Sequence, residues 1–139
     1  MNYTRLLLAA VGGFAAYFAF GGLSFALLPS MKLEFLKYPA IYRPHEGQMR
    51  AMPIGMAAIF VAILAIATLF AMLYPSGAGV VDGARFGALI GVFVVSAFVV
   101  HNYVNLNIGV RLTVLQAIAY FAEWLVTGIV ISLIYRAAH

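Results

Sequence analysis

The sequence predicts an all-α, polytopic membrane protein: a four-transmembrane-helix bundle in a single domain, residues 1–139. Three observations carry this. Hydrophobic residues make up 65% of the chain and charged residues only 9%, where an average soluble protein is about 25% charged. Four apolar stretches, roughly 6–28, 52–74, 86–104 and 112–135, each approach the ~20 residues a helix needs to cross a bilayer core. Proline and turn residues punctuate these stretches and do not interrupt their centres.

The first stretch is too long for a cleaved signal peptide and lacks a small-x-small site followed by a soluble region. Pro29 follows it. Pro53 is expected in the first turn of the second span, where a missing N–H is harmless, and Pro75 follows that span's end. The connection "PSGAGVVDG", 75–83, reads as a short turn-rich loop, and "NLNIGVR" joins spans three and four. Connections this short make antiparallel neighbours, so spans two, three and four are expected side by side. Asn107 is the expected N-cap of the last span.

Residues 29–50, "PSMKLEFLKYPAIYRPHEGQMR", form the one sizeable piece outside the spans. Lys32, Lys37, Arg43 and Arg50 alternate with Met31, Leu33, Phe35, Leu36, Ile41 and Tyr42. That mixture suits an interfacial segment lying at the headgroup level, and Pro39 and Pro44 exclude one continuous helix through it. Loop 29–50 and Arg111 place five Lys/Arg on one side, against Arg5, Arg85 and Arg136 on the other. The positive-inside rule then puts loop 29–50 in the cytoplasm and both termini outside.

Lipid supplies no hydrophobic force between helices, so small residues must permit close contact. Gly83, Gly87 and Gly91 recur every fourth residue at the start of span three, and span one carries Ala9, Gly13 and Gly21 on a similar stripe. These are expected to be helix-packing positions, by intramolecular contact in preference to a dimer seam.

Only four residues are acidic, and Glu123 sits inside the last span. Starting from Leu112 it lies ~17 Å along the axis, near the bilayer midplane. Gln116, Tyr120, Glu123 and Thr127 share one stripe of this helix, which should face protein because lipid offers no hydrogen-bond partners. Trp124, beside Glu123, is expected in the bundle or against lipid. Span three ends with His101 and Asn102; a chain Glu123–Tyr120–Gln116–His101 is expected, and Glu123, Tyr120, Gln116, Thr127, His101 and Asn102 are the expected ligand-binding residues. An ionisable group at mid-membrane costs roughly 2.5–3.5 kcal/mol on insertion scales, which favours a proton, cation or substrate site. The alternative is a carboxyl that pairs with Tyr17 or Tyr120 and fixes helix register.

The Gly-rich third span running into "HNYVNLNIGVRLTVLQ" resembles small bacterial four-helix integral membrane proteins in families of unknown function. The likeness covers mainly residues 83–135. It implies a fold and a bacterial cytoplasmic membrane and transfers no site. Four-helix drug exporters differ in carrying an acidic residue on the first helix, which is absent here, and the asparagine-glycine pattern of fluoride channels is absent too.

No cysteine is present, which excludes disulfides and thiol chemistry. No hydrolase or metalloenzyme motif appears, and the sequence specifies no cofactor. The net charge of +4 is dispersed over loops and ends, which suits membrane anchoring and not nucleic-acid binding. The leading expectation is a small, non-enzymatic membrane protein whose polar stripe binds a small molecule or ion, as a small transporter and as an oligomer. The runner-up is an accessory subunit of a larger membrane complex, with the glycine stripe and loop 29–50 as contact surfaces. Catalysis by His101 with Glu123 ranks third.

Overall fold

In a computed structural model the described residues, 1–75 and 78–136, form five helices. Four of them are long and apolar enough to cross a membrane: α1 (Tyr3–Leu27), α3 (His45–Leu73), α4 (Val80–Asn105) and α5 (Val110–Ile134). The short α2 (Pro29–Phe35) lies between α1 and α3. No strand occurs among the described residues. Ser76 and Gly77 of the expected 75–83 loop, and His139, lie outside the described residues.

Local chemistry sets most boundaries. Asn2 caps α1, its side chain accepting from the Arg5 N–H at 3.0 Å. At the other end Leu28 leaves the helical region (φ −113°, ψ 78°), because the residue before a proline is pushed out of the α basin. Pro29 then opens α2 at its first position, where its missing N–H has no intrahelical partner to lose. Pro44 plays the N-cap of α3. That helix therefore begins at His45, seven residues before the expected 52. Pro53 consequently lies inside α3 and not in its first turn. The helix tolerates it at the loss of one backbone bond, to the carbonyl of Met49.

Two further expectations change. The N-cap of α5 is Gly109, not Asn107. Its N–H donates to the Tyr38 hydroxyl at 2.9 Å, so the loop 29–50 side supplies what an asparagine side chain was expected to provide. And α4 is not uniform: Val95–Val100 is π-helical, between an α-helical start and the final turn His101–Asn105.

The helices pack in the order α3–α1–α5–α4. The short link 106–109 keeps α4 on α5, as expected, but α3 lies against α1 and not between α1 and α4. It reaches α4 through aromatic side chains near the chain termini, Phe70 against Phe86 at 5.2 Å between centroids. The α4–α5 seam is the closest. A Cβ added at Gly87 would stand 2.6 Å from the Trp124 carbonyl oxygen, and one at Gly91 2.9 Å from the Phe121 ring. Gly83 and Gly128 are equally enclosed. The Gly83/Gly87/Gly91 stripe thus lies within the bundle, facing α5, and is not free for a second chain. Gly13 packs at the crossing of α1 with α3 and α5, 3.2 Å from Ile63 and 3.0 Å from Ile131 by the same measure.

The start of α1 and the end of α5 lie at one end of the bundle, where the Arg5 guanidinium donates to the Arg136 carbonyl. The continuous core belongs to this end: Leu6, Ala9, Ala10, Ile63, Ala67, Phe70, Phe86, Ile131 and Tyr135 are buried together. Toward loop 29–50 the bundle opens. Every buried residue of α3 lies at or after Ile63, and every buried residue of α1 at or before Tyr17. The cause is steric. Alanine and glycine let α1 and α3 meet around Gly13, whereas Phe14 against Phe60 (5.6 Å, edge-on) and Phe18 hold them apart just beyond.

Candidate ligand site in the membrane

The opening leaves a groove of about 620 Å³ between α1 and α3, with α5 as its floor. Glu123 and Tyr120 project from α5, Tyr17 and Gly21 from α1, and Met52, Gly55 and Met56 from α3. Arg43 and Gln48 stand at the mouth, on the side of loop 29–50. Glu123 lies about 20 Å along α5 from Val110, so the groove connects a polar rim to a carboxyl at mid-membrane depth.

Glu123 is 8% exposed. Its carboxyl lies across α1 at Gly21, where an added Cβ would stand 2.8 Å from Oε1. Glycine there makes the room for the acid. Tyr17 neighbours the carboxyl and is itself fixed by Trp124, with ring centroids 5.2 Å apart. Trp124 is buried in the bundle, 5% exposed, and does not face lipid. No fully buried side-chain nitrogen or oxygen among the described residues lacks a partner. Glu123 is thus enclosed by protein on its helix faces while its acid group borders open space.

A smaller cavity of about 210 Å³ adjoins on the other side of Tyr120 and Glu123, lined also by Gln116, Ser24 and Met31. Gln116 Nε2 donates to the Tyr42 hydroxyl at 3.3 Å. The stripe on α5 therefore runs from a contact with loop 29–50 at Gln116, through Tyr120, to Glu123.

Three residues expected at the site are placed elsewhere. Thr127 is fully buried, and its hydroxyl donates to the Glu123 carbonyl oxygen at 2.7 Å. Such a bond back to the preceding turn satisfies the hydroxyl within its own helix, and Thr127 borders neither cavity. His101 and Asn102 are exposed on α4 and border neither cavity. They belong to the helix on the far side of α5, past the π-helical turn. The wider turn re-aims everything beyond it relative to an unbroken helix of 3.6 residues per turn, and axial depth alone could not register that.

Sequence reasoning also passed over Glu34. This residue of α2 is buried, 3% exposed, and binds Lys37 Nζ at 2.6 Å and Arg111 Nε at 3.3 Å. Arg111 is on α5, so the cluster ties α2 to the bundle. Its only sequence signal is its place between Lys32 and Lys37 in the basic loop 29–50, which also carries Glu46. No three His, Cys, Asp or Glu side chains converge as a metal site among the described residues.

Comparison with protein-family models, with curated proteins and with solved structures gives no match for this chain.

Proposed function

We propose that this chain is a small, non-enzymatic integral membrane protein that binds a small molecule or ion in the α1–α3 groove, with Glu123 as the anchoring group. One observation carries the reading: a protein-enclosed carboxyl at mid-membrane depth borders a groove that opens at the polar rim. A carboxylate accepts hydrogen bonds and attracts positive charge, and Tyr17 and Tyr120 add phenols beside it. The walls are Phe18, Met52, Met56 and Ile59, which suit an apolar body better than a hydrated ion. The ligand class is therefore a lipid-soluble amine or organic cation. The groove falls within the ~300–1,000 Å³ of ordinary ligand pockets, so a single chain encloses enough volume to hold one.

Transport is the extension of this reading. It requires the packed terminal half to open in a second state, since Tyr17, Trp124 and Thr127 close the way beyond Glu123. The membrane is proposed to be a bacterial cytoplasmic membrane, with loop 29–50 on the cytoplasmic side by the Lys/Arg count.

The test is binding of tetraphenylphosphonium to the purified chain at several pH values. Wild type should bind more strongly as Glu123 ionises. Glu123→Gln should fold normally and lose both the pH dependence and most of the binding. Equal binding by the two chains at every pH would sink the reading.

The accessory-subunit reading rests on a different surface. Val95 and Ser96 of the π-helical turn stand off Ile118 and Phe121 of α5, leaving an apolar notch of about 430 Å³ that faces outward. A partner helix in a larger complex would seat there, and no longer on the glycine stripe.

A further inference from the structure

We propose that the mouth of the groove is a binding site for an anionic phospholipid, its phosphate held by Lys32 and Arg43 and an acyl chain lying in the α1–α3 groove. Beside loop 29–50 a cavity of about 710 Å³ presents Lys32, Arg43, His45 and Gln48 over apolar walls that include Phe25 and Phe35. This cavity and the groove share Phe25, Arg43 and Gln48, so a charged head and an apolar chain find one continuous path.

The charge at the mouth is unanswered by protein. Of the four acidic residues, Glu34 is engaged by Lys37 and Arg111, and Asp82 faces Arg85 at the opposite end of the bundle. Glu123 lies deep in the groove, and Glu46 does not line the cavity. Among the described residues neither Lys32 nor Arg43 forms an ion pair. Both stand where α1 ends and α3 begins, at headgroup level, where two cations in one concavity attract phosphate.

The groove below is shaped for a chain. Gly22 on α1 and Gly55 on α3 both line it, and a Cβ at either would meet nothing within 4 Å. Unlike Gly87, these glycines relieve no contact within the protein. They widen a slot whose other walls are Phe18, Met52 and Met56. A free phosphate would use the cations and leave the slot empty, whereas a lipid uses both. The acyl chain and a ligand at Glu123 would exclude one another from this groove, and the lipid site does not depend on Glu123 binding a ligand.

The test uses the full chain in micelles containing equal amounts of phosphatidylglycerol and phosphatidylcholine, with retained lipid counted by native mass spectrometry. Wild type should retain phosphatidylglycerol preferentially. Lys32→Gln combined with Arg43→Gln should lower that preference on the order of tenfold, from two cations near an anionic headgroup. Lys32→Arg with Arg43→Lys should preserve it, as should Arg85→Gln at the other end. Gly55→Leu should reduce retention of lipid while leaving the fold intact. An unchanged preference in the double Gln variant, or an equal loss in Arg85→Gln, overturns the proposal. Complete displacement of phosphatidylglycerol by inorganic phosphate, with no contribution from the chain, also overturns it in favour of a free-anion site. If the double variant loses helical content, Gly55→Leu decides, and undiminished lipid retention in that chain overturns the proposal.

Discussion

The two ends of the bundle are built from the same helices and behave as different materials. At the terminal end, alanine, glycine and interlocked aromatics bring four helices into one core around Phe70 and Ile131. At the loop end, Phe14, Phe18 and Phe60 wedge α1 from α3, and glycines at 22 and 55 leave space unfilled. The contrast shows that glycine in a membrane helix has two uses. Where a Cβ would strike a neighbour's backbone, glycine permits contact. Where a Cβ would meet nothing, glycine preserves a gap.

The sharpest way to break this contrast is to put the same side chain in both places. Gly87→Leu drives a branched side chain into the Trp124 and Leu125 backbone, so it should destabilise the bundle by about 1–3 kcal/mol through overpacking. Gly55→Leu faces open space and should stay within about 0.5 kcal/mol of wild type, as surface substitutions do. Thermal unfolding in one detergent measures both. Equal losses would mean that the two ends are packed alike.

Glu34→Ala should have a smaller effect than Gly87→Leu. It removes the acid that Lys37 and Arg111 share, and breaking a buried pair can cost about 3–5 kcal/mol. Here the cations are mostly exposed, with side chains 56% and 70% accessible, and water takes over their solvation. The loss should therefore be about 1 kcal/mol or less, and confined to the docking of α2. Hydrogen exchange should rise over Leu33–Tyr38 while the terminal core stays protected. Loss of protection around Phe70 would show that α2 supports the whole bundle.

Much of this architecture is legible in the sequence because the bilayer imposes it. Four apolar runs of the right length can hardly be anything but spans, and the four-residue glycine interval marks a stripe that only close packing requires. The stripe bearing Tyr120 and Glu123 is legible for the same reason: polar groups on one side of an apolar helix need protein there. What fails to show is anything that depends on competition between partners. The 75–83 link suggested α3 beside α4, yet the small residues Ala9, Ala10 and Gly13 offered α3 a better surface on α1. Helix periodicity assumes a constant turn, so the π-helical stretch Val95–Val100 hid where His101 and Asn102 would lie. Thr127 has the right spacing for the site but bonds its own helix. Spacing reports the stripe and not the use of each hydroxyl.

The smallest expected stability effect belongs to the most consequential residue. Glu123→Gln keeps the side chain's length and an acceptor oxygen, and the neighbouring Gly21 already makes room for a branched end group. The amide oxygen can still accept from the neighbouring Tyr17 hydroxyl, and the Thr127 hydroxyl donates to the backbone carbonyl of residue 123, which the substitution leaves in place. The unfolding free energy should therefore change by no more than the ~0.5 kcal/mol of a neutral substitution. If Glu123 served only to hold α1 to α5 in register, a neutral amide with a different donor pattern would still hold it, and Gln would be silent in every assay. If the acid anchors a ligand, stability and function separate: unfolding stays unchanged while tetraphenylphosphonium binding falls and loses its pH dependence. Gly21→Ala supplies the complementary arm. Its Cβ would stand 2.8 Å from the carboxyl oxygen, pushing the acid out of its place without altering its charge. Weakened binding in Gly21→Ala alongside Glu123→Gln would assign the site to the position of the carboxyl as well as its charge. Full binding in Gly21→Ala would mean that the groove recognises charge alone.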